Sequence, residues 1–425
     1  MAGEYSLPAH EGQHARVIVR IALYHNLTSG GSKREAFEFA KQFAHAGHEV
    51  HLYRPSTADE QFLPMNGFVH KEFREDLHLV PEISLRLPGV RKYADLINLK
   101  RNLRQLDRLA RRTAAKIDDG NYDLVFAHHD RIVQSSYLFR YLKTPSAYYC
   151  AEPMRQFYEA PISRPYYGPQ TSLGHAQFKW YGPERKMRAR MIKNRDRENI
   201  KHATLLLTNS FFSAESIYRA YGLRARVCYL GVDGEKFKAN GFEREEFVLS
   251  VGAVSPLKGY DFLIESIGKI SSSERPTLVI VGNTASHGEA LYLEQLAAGR
   301  GVKIRFRVNV SEEDLVALYS KARALVYAPI LEPFGFAPLE AMACETPIVA
   351  VGEGGVRESV IDGTTGSLVQ RHPDEFAAAL SRILSDRKLA RLLGANGRAH
   401  VLKNWTWQHA YERFVDQTKS LWSSK

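Results

Sequence analysis

Short apolar runs alternate with amphipathic stretches along nearly the whole chain, and this alternation restricts the fold more than any other feature. A run of four to eight apolar residues suits a strand buried on both faces, and a longer amphipathic stretch suits a helix laid across it. Repeating the two builds a parallel sheet with right-handed crossovers. ARVIVRIAL (15–23), REAFEFAKQFAHAG (34–47) and HEVHLYRP (48–55) read as strand, helix and strand, with a Ser-Gly-Gly turn at the first handover. DLVFAHH (123–129), SAYYCAE (146–152) and TLLLTNS (204–210) continue the strands, and a strongly basic helix is expected from about Tyr93 to Lys116. A second series follows the turn-rich LGVDGEKFKANGFERE (230–245). Its strands are FVLSVGAV (247–254), TLVIVG (277–282), VKIRFRV (302–308), ALVYAP (324–329) and PIVAVG (347–352). Its helices are YDFLIESIGKI (260–270), SEEDLVALYSKA (311–322), opened by a Ser-x-x-Asp capping box, and APLEAMAC (337–344). The expected architecture is α/β, two Rossmann-like parallel-sheet domains facing a cleft. The boundaries are 1–232 and 233–404, with 405–425 a terminal helix packing back on the first domain.

A chain of 425 residues exceeds one ordinary core, and 44% hydrophobic content excludes disorder. Cys150, Cys228 and Cys344 are too few and too scattered for a disulfide framework or a metal site, which points to a reducing, cytoplasmic compartment. The first residues show no basic start followed by an apolar run, so no secretory signal is expected. No apolar stretch approaches the roughly 20 residues that span a bilayer. Residues 1–200 carry 31 Lys and Arg against 22 Asp and Glu, so most of the net charge of +11 lies in the first half. A basic surface by itself fits nucleic acid, anionic lipid, an anionic substrate or plain solubility.

Chemistry concentrates in EPFGFAPLEAMACETPIVA (332–350). Glu332 lies in a loop after a strand, and Glu340 follows eight positions later near the start of a helix. Such a loop offers backbone N–H groups and the positive end of a helix dipole to an anion, and the two carboxylates can accept from sugar hydroxyls. As isolated residues, a helix-capping Glu340 and a solvated Glu332 would be the plainer reading. Gly30 and Gly31 likewise let a backbone approach a phosphate, although without a full Gly-x-Gly-x-x-Gly they argue against a nicotinamide site.

The string 332–350 closely resembles the Glu-x7-Glu signature of family-4 retaining glycosyltransferases with the GT-B fold. Similar strings occur in order at GG (30–31), GHEV (47–50), TNSFFSAESI (208–217), LGVD (230–233), SVGAVSPLKGYDFLIES (250–266), VSEEDLVALYSKARALVYAP (310–329), GEGGVRE (352–358) and DGTTGSLV (362–369). Their joint order and spacing decide for the family. The resemblance implies that Glu332 binds donor-sugar hydroxyls, with the N–H groups of Phe334, Gly335, Phe336 and Ala337 near the sugar and diphosphate. It further implies that Glu340 accepts from the ribose, that Lys258 contacts the diphosphate, and that Gly30 and Gly31 approach it. His128, five residues after Asp123, matches the family's active-site histidine, with His129 the adjacent alternative. No cofactor or catalytic metal is implied; the co-substrate is a nucleotide-diphosphate sugar, UDP or GDP.

One departure stands out. The family's usual Arg after the glycine of the first second-domain strand is Ala253 here, which removes a charge-assisted contact worth about 1.5–3 kcal/mol. Arg305, Arg307 or Arg357 could supply the charge; otherwise the chain binds a nucleotide sugar with impaired turnover. The expected acceptor is a carbohydrate, glycolipid or lipid-linked molecule, with the aromatic-rich 148–169 suited to contact it. Arg91 to Lys116 and Arg185 to Arg197 are basic enough to meet an anionic membrane from the cytoplasmic side, or form ordinary helices with a solvated basic face. No motif supports nucleic-acid binding.

Overall fold

A computed structural model describes residues 18–80, 88–167, 183–284 and 286–422. The N-terminal 1–17, on which the reading of a missing secretory signal rests, lies outside the described residues, as do Gly168 and Pro169 of the aromatic stretch. In the first half the elements run β1 (Arg20–Asn26), α1 (Gly31–His45), β2 (Glu49–Pro55), β3 (Lys71–Glu75), α2 (Pro88–Asp118), β4 (Leu124–Asp130), β5 (Ser146–Tyr149), α3 (Pro183–Asn199), β6 (Leu205–Thr208), α4 (Phe211–Tyr221) and β7 (Arg226–Val227). All seven strands are parallel, in the order β3-β2-β1-β4-β5-β6-β7. β1 and β4 are buried almost throughout, as central parallel strands covered on both faces must be.

The second half repeats the plan: β8 (Glu245–Val251), α5 (Tyr260–Gly268), β9 (Thr277–Gly282), α6 (His287–Arg300), β10 (Ile304–Val308), α7 (Glu312–Lys321), β11 (Ala322–Tyr327), α8 (Phe336–Ala343), β12 (Ile348–Val351), β13 (Ser367–Val369), α9 (Pro373–Ser385) and α10 (Arg387–Asn404). The sheet order is β10-β9-β8-β11-β12-β13, again parallel. Ser311 caps α7 by accepting from the Asp314 amide at 3.0 Å, as the capping box requires. Each sheet reverses its strand order once, at β1/β4 and at β8/β11. Open α/β sheets bind ligands in the crevice beyond the carboxyl ends of such strands.

The last helix, α11 (Trp407–Trp422), leaves the second domain and lies on the first. The Phe414 ring packs on Phe39, Phe43 and Phe126 at centroid distances of 5.5, 4.9 and 4.8 Å. A β-bridge joins Val232 to Thr406, and a side chain at Gly231 would stand 2.3 Å from the Thr406 carbonyl. The chain thus crosses between domains twice at neighbouring points, which ties them at a hinge. The basic helix α2 buries Leu99, Leu103, Leu106 and Leu109 against Val133, Tyr137 and Ile192, so its apolar stripe is already used within the domain. Among the described residues no helix is long and apolar enough to cross a membrane.

Phe414→Ala removes a buried ring shared by four aromatic neighbours, Trp422 being the fourth, and the expected loss is about 3–5 kcal/mol. Urea denaturation measures it. A loss below about 1 kcal/mol would mean that α11 contributes little to holding the first domain.

Candidate active site

The loops at the carboxyl ends of the strands bring several of the singled-out residues together. After β8 the chain makes a short turn, Pro256–Lys258, and Gly259 follows in the left-handed region at φ 64°. A side chain at Gly259 would stand 2.1 Å from the Ala328 carbonyl, so this turn is pressed against the end of β11. Lys258 Nζ consequently donates to both Glu332 carboxylate oxygens, at 2.8 and 2.9 Å. Glu332 is held from behind. The Gly355 amide donates to its carbonyl at 2.9 Å, and a Cβ at Gly354 would fall 2.2 Å from the same oxygen. Both side chains keep about a fifth of their surface exposed, at 22% and 21%.

Gly335, at φ 94°, opens α8. Phe334 is buried against Trp405, while Phe336 reaches Gly31 in the first domain, where a Cβ would touch its ring at 3.8 Å. Gly30, at φ 141°, opens α1. The N-termini of α1 and α8 therefore approach each other across the domain boundary. Ala337 lies in the first turn of α8, and Glu340, 3% exposed, in its second. Glu340 Oε1 accepts from Arg34 Nη1 at 2.5 Å, and Oε2 accepts from the Tyr319 hydroxyl at 2.7 Å. Burial works to lower the Arg34 pKa, but Glu340 and Tyr319 outweigh it and raise it. Burial, reinforced by Glu340, holds the Tyr319 phenol well above its ordinary value.

His128 sits at the end of β4 and is almost wholly closed off. Its ring lies edge-on to Phe126 and stacks on Tyr149. Nδ1 stands 3.0 Å from Glu35 Oε1, but neither ring nitrogen has an aligned hydrogen-bond partner among the described residues. Burial drives the His128 pKa well below and the Glu35 pKa well above their ordinary values, so the setting disfavours the charged form of each. Beside them His25 Nε2 bonds Glu60 at 2.9 Å, and buried Lys33 pairs with the same carboxylate. Burial pushes Glu60 upward, but His25 and Lys33 overcome it and pull the carboxyl down to about 2. Half-buried His129 is pushed down to about 4 by burial and His25.

Four contributors carry no local sequence signal: Arg34, Tyr319, Glu35 and Glu152. Glu152 follows β5, in electrostatic reach of Glu332 and Lys258; burial first, then Glu332 and Glu159, raises it to about 7 against the opposing pull of Arg155 and Lys258. The adjacent Arg155 donates to the Ile330 carbonyl at 2.7 Å, two residues before Glu332. Arg164 pairs with Glu289 and Asp261 and donates to the Pro256 carbonyl at 3.2 Å. The segment after β5 thus grips both loops that carry the Lys258–Glu332 pair. Of the arginines that could replace the charge missing at Ala253, Arg305 and Arg307 lie exposed on edge strand β10. Arg357 is exposed but donates to the Gly354 carbonyl at 3.2 Å, beside the Glu332 loop.

Two family models match consecutive stretches of the chain: Glycosyltransferase Family 4 over residues 29–236, and Glycosyl transferases group 1 over residues 232–400. Between them they take in every strand of both sheets except β1. The chain belongs to the group 1, family 4 glycosyltransferases. This glycosyltransferase is 29% identical over 327 residues to a D-inositol 3-phosphate glycosyltransferase of Geodermatophilus obscurus, covering 72% of the chain and 68% of that relative. A protein of the same name from Streptomyces bingchenggensis is 32% identical over 238 residues, 50% of this chain and 52% of that one. Among solved structures, sucrose-phosphate synthase of Thermosynechococcus elongatus matches with TM-score 0.69 and 19% identity, over 96% of the glycosyltransferase and all of that chain. Anabaena HepE in complex with UDP and glucose matches with TM-score 0.65 and 19% identity, over 95% and 100%. The shared architecture is GT-B, as the sequence led us to expect.

The depressed His129 pKa has a measurable consequence. An unfolded histidine takes up a proton near pH 6.5, and the folded one resists until about pH 4, so stability falls as pH drops through this window. In His129→Asn the slope of unfolding free energy against pH between 7 and 5 should be shallower by as much as about 1 kcal/mol per pH unit. Urea titrations at pH 5, 6 and 7 check it, and an unchanged slope would contradict a neutral His129.

Proposed function

We propose that this glycosyltransferase moves a sugar, with retention of configuration, from a nucleotide-diphosphate sugar to an acceptor hydroxyl. The second domain takes the donor and the first domain the acceptor. The observation that carries the reading is the Lys258–Glu332 pair, fixed at 2.8–2.9 Å beside the N-terminus of α8 and partly open to the cleft. As the bond between the anomeric carbon and the phosphate oxygen breaks, negative charge grows on the leaving diphosphate. A preplaced ammonium offsets this charge without needing a metal, and the amides of Phe334, Gly335, Phe336 and Ala337 add aligned dipoles. Glu332 accepts from donor-sugar hydroxyls, Glu340 from the ribose, and the Gly30–Gly31 turn leaves room for the diphosphate.

The acceptor oxygen attacks from the face the leaving group departs, and its proton passes to the departing phosphate oxygen. His128 orients the donor sugar: its ring nitrogens lack aligned partners among the described residues, which leaves their hydrogen-bonding capacity for a ligand. Approach of the two domains excludes water and limits wasteful hydrolysis. UDP and GDP are the proposed nucleotides; binding of UDP and glucose by Anabaena HepE supports the first. The acceptor is a carbohydrate, glycolipid or lipid-linked molecule, with a hexose the sugar transferred. We place the reaction in the cytoplasm, where the basic outer face of α2 can meet an anionic membrane. Because Ala253 leaves Lys258 without the second cation expected in its loop, nucleotide-sugar binding with little turnover is the second reading.

Incubation with UDP-, GDP- and ADP-sugars tests the proposal through donor hydrolysis and transfer. Lys258→Ala and Glu332→Ala should each lower kcat by about 10²–10³-fold with the fold retained, judged by circular dichroism. Wild-type rates in both variants would dismiss these roles. Saturable binding without hydrolysis or transfer in the unaltered protein would favour the second reading.

A further inference from the structure

Glu340 is the carboxylate assigned above to the ribose, yet in this structure each of its oxygens already has a partner. Oε2 is bonded by the fully buried Tyr319 hydroxyl from the same domain, an arrangement a ligand need not disturb. Oε1 is bonded by Arg34, which comes from the other domain and keeps 26% of its side chain exposed. Arg34 therefore competes with a ribose hydroxyl for the side of Glu340 that faces the first domain. It is also the third residue after Gly31, in the first turn of the helix whose N-terminus faces Phe336. A guanidinium released from Glu340 at this point has an obvious anion to meet, the diphosphate, which approaches the same two helix ends.

Charge bookkeeping points the same way. A nucleoside diphosphate brings roughly three negative charges, and Ala253 removes the cation expected beside Lys258. Arg305 and Arg307 lie on the outer strand β10. Lys33, the neighbour of Arg34, is buried and committed to Glu60. Arg357, though exposed, is held to the Gly354 carbonyl at 3.2 Å behind the Glu332 loop, whereas Arg34 lies partly exposed at the meeting of the two helix N-termini.

We propose that Arg34 is an exchange residue: it occupies Glu340 in the empty enzyme, yields that carboxylate to the ribose, and binds the diphosphate in place of the arginine missing at Ala253. The proposal rests on the nucleotide-sugar reading of the cleft and assigns it a further donor-binding residue. A nucleoside must then compete with the guanidinium and receives nothing in return, whereas a nucleoside diphosphate regains the cation on its phosphates.

The test is calorimetric titration of the full chain with a nucleoside and its diphosphate, using uridine and UDP, then guanosine and GDP. In Arg34→Gln the diphosphate should bind at least about 10-fold more weakly, the loss expected for one charge-assisted contact, while the nucleoside binds as well as or better than in wild type. Arg34→Lys should recover part of the diphosphate affinity. Equal weakening of both ligands would make Arg34 a strut between domains and overturn the proposal, as would an unchanged ratio between them. Should Arg34→Gln fail to fold, Arg34→Lys carries the test alone, since loss of the planar fork must still narrow the gap between the two ligands. A wild-type protein that binds neither diphosphate contradicts the nucleotide reading itself, whereas wild-type binding with an unaltered ratio contradicts only the part given to Arg34.

Discussion

Two helix N-termini, one from each domain, are brought almost into contact, and the rest of the cleft is arranged around that approach. The positive ends of α1 and α8 meet where Gly31 faces the ring of Phe336. Like ends of helix dipoles do not favour such proximity without an anion between or beside them. Glu340 supplies one, buried in the second turn of α8 and bonded across the boundary to Arg34 in the first turn of α1. The return of α11 to the first domain makes the approach durable, because its aromatic residues join α1 to the core of the first sheet. A site that stabilises a departing diphosphate needs donors fixed in advance rather than recruited during the reaction. Paired helix ends meet that need.

Much of this architecture can be read from the sequence, for a physical reason. Strands such as β1, β4 and β8 lie between helices, so their composition is apolar on both sides and stands out as a run. β3 does not stand out. It is the charged, largely exposed edge strand Lys71–Glu75, and its place in the sheet comes from pairing with β2. β7 and β13, of two and three residues, are too short to impose a pattern. Gly394 and Gly397 look like penalties inside a helix. The fold explains them, since Cβ atoms there would stand 2.1 Å from the Glu345 carbonyl and 3.0 Å from the Met342 side chain.

The cleft divides in the same way. Glu332, Glu340 and Lys258 were legible because a loop, a helix start and a Pro-Leu-Lys-Gly turn each carry a local signature. Arg34, Tyr319 and Glu152 were not, because their contribution is a meeting of distant segments; Arg34 and Glu340 are 306 positions apart. His128 was legible as a position, but its setting was not. The sequence does not reveal that Glu35, one helix turn beyond the glycines, would face it in a dry environment that disfavours the charged form of both groups. The basic helix α2 teaches a related lesson: its amphipathic pattern fits a membrane surface equally well, and the packing of its leucines inside the domain settles where the apolar face goes.

The central claim is that this cleft holds a nucleoside diphosphate sugar between the glycine turn of α1 and the Glu332–Phe336 loop. A crystal structure of the full chain with UDP-glucose or a GDP-hexose tests it most directly. The account predicts a diphosphate at the paired helix ends, its ribose on Glu340 and its sugar beside Glu332. Ligand density elsewhere on the molecule, or a cleft that stays empty at saturating donor, would contradict it.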